Sequence, residues 1–248
     1  MLANISLYYG RTPDNLSQEE LDNYLAEKVQ GKTSSFKHLI HGLRCYYKAL
    51  GIAKAMFSLP VIKKERTLPV ILNPKECKRL FHATTPLRDR AILCLMYSAG
   101  LRSCELRSLR VKDIDSGRML IHIRQSKNHK DRYVPLSELI LIGLRRYYKK
   151  ERPQDYLFPG RYKGGAMSSA TIAQILRKAR SEAGILKRVT PHTLRHTYAT
   201  HLLEMGMNIL KVKELLGHTD IRTTMLYLQV MNQADEKAFS PLDKLYCE

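Results

Sequence analysis

A chain of 248 residues with 44% hydrophobic content is long enough for one large or two smaller globular units with real cores. Its 42 lysines and arginines against 23 acidic residues leave a charge of +19, a surplus that points to a polyanion, with nucleic acid the first expectation. The longest nearly uncharged apolar run, Ala91 to Leu101, is too short to span a bilayer, no signal-peptide pattern opens the chain, and five cysteines at irregular spacing offer neither a disulfide framework nor a zinc site, so a cytoplasmic protein with no membrane partner is expected.

The first 57 or so residues read as a small helical unit. Ser17 followed by Glu20 is a capping-box signal, and it opens a helix with Leu21, Tyr24, Leu25 and Val29 on one face, ended by Gly31. A second helix, about Thr33 to Leu50, has Phe36, Leu39, Ile40, Leu43 and Tyr47 as its apolar side and stops at Gly51. His38, His41, Arg44 and Lys48 lie around its remaining surface, which is either a solvated face or one turned to DNA; Arg44 and Lys48 are the DNA candidates. From Ser58 to Pro69 the pattern breaks. Pro60 and Pro69 bracket Lys63, Lys64, Glu65 and Arg66, the composition of an interdomain linker whose charge can follow a phosphate backbone.

Beyond it, Asn73-Pro74 opens a capped helix holding Cys77, Leu80 and Phe81. A longer helix, about Pro86 to Ala99, has Ala91, Ile92, Leu95 and Met96 as its buried set and Gly100 as its terminating residue. Arg102 then stands at the junction of two helices, with Ser103 a cap for the second. A cation at a helix start is electrostatically misplaced unless it meets an anion, either a bound one or Glu105. From Arg118 to Leu136 the period changes to two, with Met119 to Arg124 and Arg132 to Leu136 as the arms of a β-hairpin. Its loop, Gln125 to Asp131, carries Lys127, His129 and Lys130. Two amphipathic helices follow, Ser137 to Lys150 and Ser168 to Ala183, separated by a glycine-rich loop around Tyr162 to Gly165.

The stretch from Thr190 to Gln229 organises the chain. Thr190 and Pro191 read as N-cap and first residue of a helix closed by Gly206. His192 and Arg195, three residues apart, project from one face near its N-terminus, where free N–H groups and the helix dipole favour an anion. A helix from about Asn208 to Leu216 stops at Gly217, His218 follows, and a third helix starting near Thr219 or Asp220 carries Tyr227. His192 and His196 are four apart, but the glutamate of H-E-x-x-H is absent and no carboxylate or cysteine stands near in sequence, so no metal is expected.

Taken in order, Ala99-Gly100-Leu101-Arg102-Ser103-Cys104-Glu105-Leu106, a hairpin lysine, His192-x-x-Arg195, Leu216-Gly217-His218 and Tyr227 resemble the tyrosine recombinase (phage integrase) family. The resemblance covers nearly everything after Pro69 and is nearest to the compact Xer and integron-integrase-like members; the tail Ser240-Pro241-Leu242-Asp243 is also similar to integron-type integrases. It implies a mainly α fold with a small β-hairpin or sheet (α+β) in a two-domain architecture. On that reading, residues 1–57 form a short helical, SAM-like core-binding domain, 58–69 a basic linker, 70–231 the catalytic domain, and 232–248 a tail that exchanges between protomers. Relatives carry four or more helices in the first domain, whereas about two are clear here, so that domain is expected to be reduced or to begin late, without its first helix.

The implied reaction is site-specific recombination through a 3′-phosphotyrosine. Bond energy is conserved, so neither cofactor nor metal is required. Tyr227 matches the nucleophile, and Arg102 and Arg195 match the guanidiniums that clamp the non-bridging oxygens of the pentavalent transition state. His192 and His218 match the phosphate-bonding histidines, with His192 also the relay for the tyrosine proton. Lys127 matches the hairpin lysine that protonates the leaving 5′-oxygen, with Lys130 as fallback and a further DNA contact beside Arg44, Lys48, Lys63, Lys64 and Arg66. Glu105 matches the acidic residue that orients the first arginine. The partner so implied is a double-stranded DNA recombination site, bound by a homo-tetramer on paired sites, the protein being expected as a monomer without DNA. Two rival readings share these residues: a type IB topoisomerase that relaxes supercoils, and a catalytically silent relative that only occupies DNA.

Overall fold

The structure is a computed structural model, and it describes residues 2–29, 33–52, 69–124, 131–160 and 164–228. The chain divides into two compact units, 1–66 and 67–248.

The first unit holds three helices among its described residues: α1 (Leu2–Tyr9), α2 (Gln18–Val29) and α3 (Thr33–Ala49), with a tight 3-10 turn at Pro13–Asn15. Its core gathers Ile5, Leu16, Leu21, Tyr24, Leu25, Leu39, Ile40, Leu43 and Tyr47. The capping box forms as read: Ser17 Oγ accepts from the Glu20 N–H at 3.1 Å, and Glu20 returns by accepting from the Ser17 N–H at 2.9 Å. Helix α1 corrects the expectation of only two helices. It is eight residues long and mostly apolar, too short and too uniform for a 3.6-residue period to show, and it is fixed instead by seating Ile5 in the core. Tyr47 ties α3 back across the unit by donating to the Pro13 carbonyl at 3.0 Å. His38, His41, Arg44 and Lys48 all stay exposed on α3.

The second unit is built around α5 (Leu87–Ser98), whose Ala91, Ile92, Leu93, Leu95 and Met96 are buried on every side. Past its charged first turn the helix is apolar on several sides, as befits the middle of a core, and α4 (Pro74–Ala83), α6 (Ser103–Ser108), α7 (Glu138–Glu151), α8 (Ser169–Glu182) and α9 (Pro191–Glu204) pack about it. Asn73 caps α4 reciprocally with Glu76, both bonds at 2.8 Å. The hairpin forms within the expected arms as β2 (Leu120–Ile123) and β3 (Arg132–Pro135), antiparallel, with Ile121 opposite Val134 and Ile123 opposite Arg132. A two-residue strand β1 (Ile114–Asp115) completes a three-stranded sheet of order β1-β2-β3. Two residues are too few to register as an alternating pattern.

Helix α9 is buried over most of its length although it is rich in threonine and histidine. Several of its polar groups are answered internally: Thr197 Oγ1 donates to the Thr193 carbonyl at 2.8 Å and accepts from the Leu72 N–H at 3.1 Å, and His201 Nδ1 meets the Tyr97 hydroxyl at 2.8 Å, whereas the buried Thr200 hydroxyl has no hydrogen-bond partner. Helix α10 (Ile209–Leu216) ends on Gly217 at φ +63°, and α11 (Arg222–Leu228) follows. No helix among the described residues is long and apolar enough to cross a membrane.

Candidate active site

Three arginines converge on one buried carboxylate. Glu105, 4% exposed on the first turn of α6, accepts from Arg102 Nη1 at 2.7 Å and from both Arg132 terminal nitrogens at 2.8 and 2.9 Å, and lies 3.8 Å from Arg195 Nη1. Burial pushes its carboxyl up, but the Arg132 and Arg102 bonds and charges outweigh this and hold it at about 2. Both readings of Arg102 therefore contain truth: it pairs with Glu105 and still stands at the edge of a cluster with more guanidiniums than carboxylates. Ser103 is not the cap of α6. Arg102 occupies the cap position, the Glu105 carboxylate accepts its N–H at 2.8 Å, and the Ser103 hydroxyl is buried without a hydrogen-bond partner.

The remaining bonds aim the guanidiniums. Arg195 is 3% exposed and donates to the carbonyls of Gly100 and Leu216, the C-terminal ends of α5 and α10. Burial first, then Arg102, lower its pKa to about 10, so it remains charged at neutral pH. Arg102 Nη2 donates to the Gly217 carbonyl at 3.2 Å, and Arg132 Nε to the Leu215 carbonyl at 2.9 Å. Three successive carbonyls at the end of α10 thus each hold one arginine. Gly217 permits this approach, because a Cβ there would lie 3.2 Å from the Arg132 side chain.

Tyr227 reaches the same place from α11 and is 2% exposed. Burial raises its pKa, while Arg195 and Arg102 are near enough to pull it back down. Its hydroxyl lies 3.1 Å from His196 Nδ1, with the two rings 5.4 Å apart. The His218 ring lies nearly parallel to the tyrosine ring, its centroid 6.2 Å away, and His218 Nδ1 meets Thr224 Oγ1 at 2.9 Å. Burial, then Arg195 and Arg102, lower the His218 pKa to about 3, so this imidazole is neutral and offers one donor and one acceptor nitrogen, one of which meets Thr224. His192 is exposed on the first turn of α9, its ring 6.2 Å from that of His196.

Arg102, Glu105, Arg195, His218 and Tyr227 are thus brought together, and His192 stands one helical turn from His196 at their edge. Lys127, Lys130, Lys63, Lys64 and Arg66 lie outside the described residues. Arg44 and Lys48 are exposed on the first unit. The Tyr227 hydroxyl, which the sequence reading related to His192, lies within hydrogen-bond distance of His196, one turn along the same helix, while His192 itself is exposed. Arg132 was also missed. Its signal was legible: strand alternation puts Arg132 on the face of Val134, and an inward arginine demands a carboxylate. Among the described residues no group of three or more His, Cys, Asp or Glu could hold a metal ion.

The arrangement is a cluster of guanidiniums suited to an anionic oxygen, with a buried phenol and two neutral imidazoles beside it. Such a set can stabilise a pentavalent phosphorus attacked by the phenol.

Comparison with known proteins falls in the same place. Residues 71–234 match the profile described as the phage integrase family. A tyrosine recombinase of Pseudothermotoga lettingae is 35% identical over 246 residues, covering 94% of this chain and 84% of its own. The crystal structure of XerA recombinase is similar with a TM-score of 0.63 and 29% identity, covering 98% of this chain and 87% of its own. That of the XerH site-specific recombinase bound to difH substrate is similar in fold, with a TM-score of 0.71, 23% identity, and coverage of 88% of this chain and 68% of its own.

Proposed function

This chain belongs to the phage integrase family and is a tyrosine-type site-specific recombinase, and from that premise we propose that Tyr227 is its nucleophile and that Arg102 and Arg195 are the clamp for the transferred phosphate. The observation that carries the assignment is the position of the Tyr227 hydroxyl: on a separate helix, within the field of both guanidiniums, and hydrogen-bonded to an imidazole. Attack of this oxygen on a phosphodiester gives a 3′-phosphotyrosine and a free 5′-hydroxyl, and the reverse step onto a partner strand rejoins DNA. Arg102 and Arg195 stabilise the charge on the non-bridging oxygens, which peaks in the transition state. His192 and His218 hydrogen-bond the same phosphate. Glu105 keeps Arg102 extended, and Lys127 supplies the proton to the leaving oxygen, Lys130 being the fallback.

The substrate is double-stranded DNA carrying a recombination site. The +19 charge and the DNA held by the XerH relative support this, as does the exposure of Arg44 and Lys48 on α3. Lys63, Lys64, Arg66 and Lys130 are assigned to the same role. We assign residues 1–57 to a core-binding domain, 58–69 to a linker, 70–231 to the catalytic domain and 232–248 to a tail exchanged between protomers of a tetramer on paired sites, acting in the cytoplasm. The relatives named are recombinases, which favours strand exchange over relaxation of supercoils. Incubation with nicked suicide DNA tests the reading: a denaturation-resistant adduct through a 3′-phosphate should form in EDTA and be lost in Tyr227→Phe. An adduct retained by that variant, or one abolished by chelator, overturns it.

A further inference from the structure

We propose that Arg132 is a positioning residue for strand cleavage: by bridging both oxygens of Glu105 it fixes that carboxylate, and through it the plane in which Arg102 meets the scissile phosphate. The inference rests on Arg102 being part of the phosphate clamp, and it adds to that reading a residue that does not itself touch DNA. Each guanidinium nitrogen of Arg132 donates within the protein: Nη1 to Glu105 Oε1 at 2.8 Å, Nη2 to Glu105 Oε2 at 2.9 Å, and Nε to the Leu215 carbonyl at 2.9 Å. Chemistry fixes the donor roles, because a guanidinium only donates and a carboxylate held at about 2 only accepts. A fork spent on a carboxylate cannot also grip a phosphate, whereas Arg195 donates its two terminal nitrogens to neutral carbonyls.

Glu105 has two oxygens with which to serve two arginines. Oε1 accepts from Arg102 Nη1 at 2.7 Å as well as from Arg132 Nη1, and Oε2 accepts the Arg102 backbone N–H at 2.8 Å as well as Arg132 Nη2. Arg132 thus takes a share of each oxygen, and the carboxylate cannot turn toward Arg102 without breaking two charge-assisted bonds. Burial pushes the Glu105 carboxyl up, and among the groups that pull it down Arg132 acts most strongly. Were Arg132 removed, Arg102 at 2.7 Å and Arg195 at 3.8 Å would be the guanidiniums left beside a buried anion among the described residues. Glu105 would turn onto them, shifting the clamp and cancelling charge that the transition state requires.

The end of α10 supplies a common reference for this frame. Its Leu215, Leu216 and Gly217 carbonyls hold Arg132, Arg195 and Arg102 in turn, so the positioning residue and both clamp residues are registered against one helix terminus.

The test is single-turnover cleavage of nicked suicide DNA by the full chain at saturating DNA, with Kd and thermal stability measured in parallel. Arg132→Met keeps an unbranched apolar stem. It should cleave about 10- to 100-fold more slowly, the cost of a misplaced rather than a missing group, while its Kd stays within about threefold. Combined with Arg102→Ala, it should fall short of the product of the two single losses by about tenfold or more, because much of what Arg132 does passes through Arg102. A methylphosphonate at the scissile position supplies a readout that a fold defect would not move. With a methyl group in place of one non-bridging oxygen it demands less charge from the clamp, so the defects of Arg132→Met and Arg102→Ala should both shrink by about tenfold or more on it. Arg132→Lys covers the case in which the methionine variant fails to fold; one ammonium cannot span both oxygens, so it too should be slow and should improve on the methylphosphonate. Wild-type rates in either Arg132 variant overturn the proposal. So does a slow rate that multiplies fully with Arg102→Ala and is unchanged on the methylphosphonate, which makes Arg132 a residue of the fold alone, and so does a Kd that rises in step with the loss of rate, which makes it a DNA contact. Wild-type cleavage by Arg102→Ala would instead overturn the clamp assignment beneath it, so the two failures are distinct.

Discussion

Arg132, on the last strand of the sheet, and Glu105, on the first turn of α6, form a two-pronged ion pair at 2.8 and 2.9 Å, both side chains almost wholly buried. The pair locks the root of the hairpin to the helix start that presents Arg102. Arg132 closes the frame by donating to the Leu215 carbonyl, so sheet, α6 and α10 meet at one guanidinium. A bidentate arginine fixes both distance and plane, which a lysine cannot do.

That pair makes stability depend on pH. The Glu105 carboxyl, ordinarily near 4.5, is held at about 2 in the folded chain, so its contribution is complete above about 4.5 and is lost as pH falls through about 2. The shift corresponds to roughly 3 kcal/mol at neutral pH. Glu105→Gln should therefore be less stable than wild type by about 3 to 5 kcal/mol at pH 7, since three guanidiniums lose their counter-charge. The gap should narrow as pH falls from 5 toward 2.5. Urea unfolding of both proteins across that range checks it, and a gap independent of pH would mean that the carboxylate's ionisation is not what holds the cluster.

The catalytic frame was more legible in the sequence than its wiring. Gly100, Arg102, Arg195, Gly217 and Tyr227 sit at helix ends, where caps, glycines and spacing identify boundaries, and the helices of the second unit fall within a residue or two of their expected limits. The Arg132 pair was not anticipated because its partners are 27 positions apart, and only the fold chooses which inward charge meets which. His196 follows the same logic: sequence places it on one face with His192, but whether α11 crosses the first or second turn of α9 is a packing outcome. Helix α1 was missed for a local reason, since eight residues hold barely two turns of pattern.

Cleavage and binding should separate in the arginine variants. Arg102→Ala and Arg195→Ala should each slow adduct formation by about two to four orders of magnitude, as expected for groups that stabilise transition-state charge. DNA affinity should fall far less, because it is shared among many phosphate contacts, and the log-log salt slopes should stay nearly parallel. Arg195→Ala should also lower thermal stability, because it leaves the Gly100 and Leu216 carbonyls unpaired in the interior; Arg102, half-buried, should cost less. Parallel losses of affinity and rate would make both arginines ordinary binding residues.

Two glycines should resist substitution for different reasons. At Gly100, φ is +58° and an added Cβ would collide with the Tyr198 ring, so Gly100→Ala should destabilise the fold by more than the roughly 1 kcal/mol of left-handed strain alone. At Gly217, φ is +63° and the Cβ would press on the Arg132 guanidinium, the flexible end of a long side chain. Gly217→Ala should therefore cost about 1 kcal/mol in stability but displace Arg132 from Glu105, lowering cleavage out of proportion. Thermal melts and single-turnover rates measured together distinguish the two; equal rates at equal stability would show that the Arg132 position is indifferent to chemistry.

The last prediction concerns the proton that the leaving strand requires. If Lys127 delivers it, Lys127→Ala should be slow on ordinary DNA and recover on a substrate whose 5′-bridging oxygen is replaced by sulfur, because a thiolate departs without a proton. Arg102→Ala should not recover, since sulfur leaves the charge on the non-bridging oxygens untouched and that charge is what the guanidinium meets. The Arg132 pair adds a third case. Arg132 begins the strand that leads away from the loop, five positions after Lys127, so losing its hold on Glu105 frees the hairpin root as well as Arg102. Arg132→Met should therefore recover only in part on sulfur: the share of its defect that comes from a misplaced acid is cured, and the share that comes from a misplaced Arg102 remains. Recovery of Lys130→Ala in place of Lys127→Ala would move the acid three residues along the loop, and recovery of neither would remove it from the hairpin.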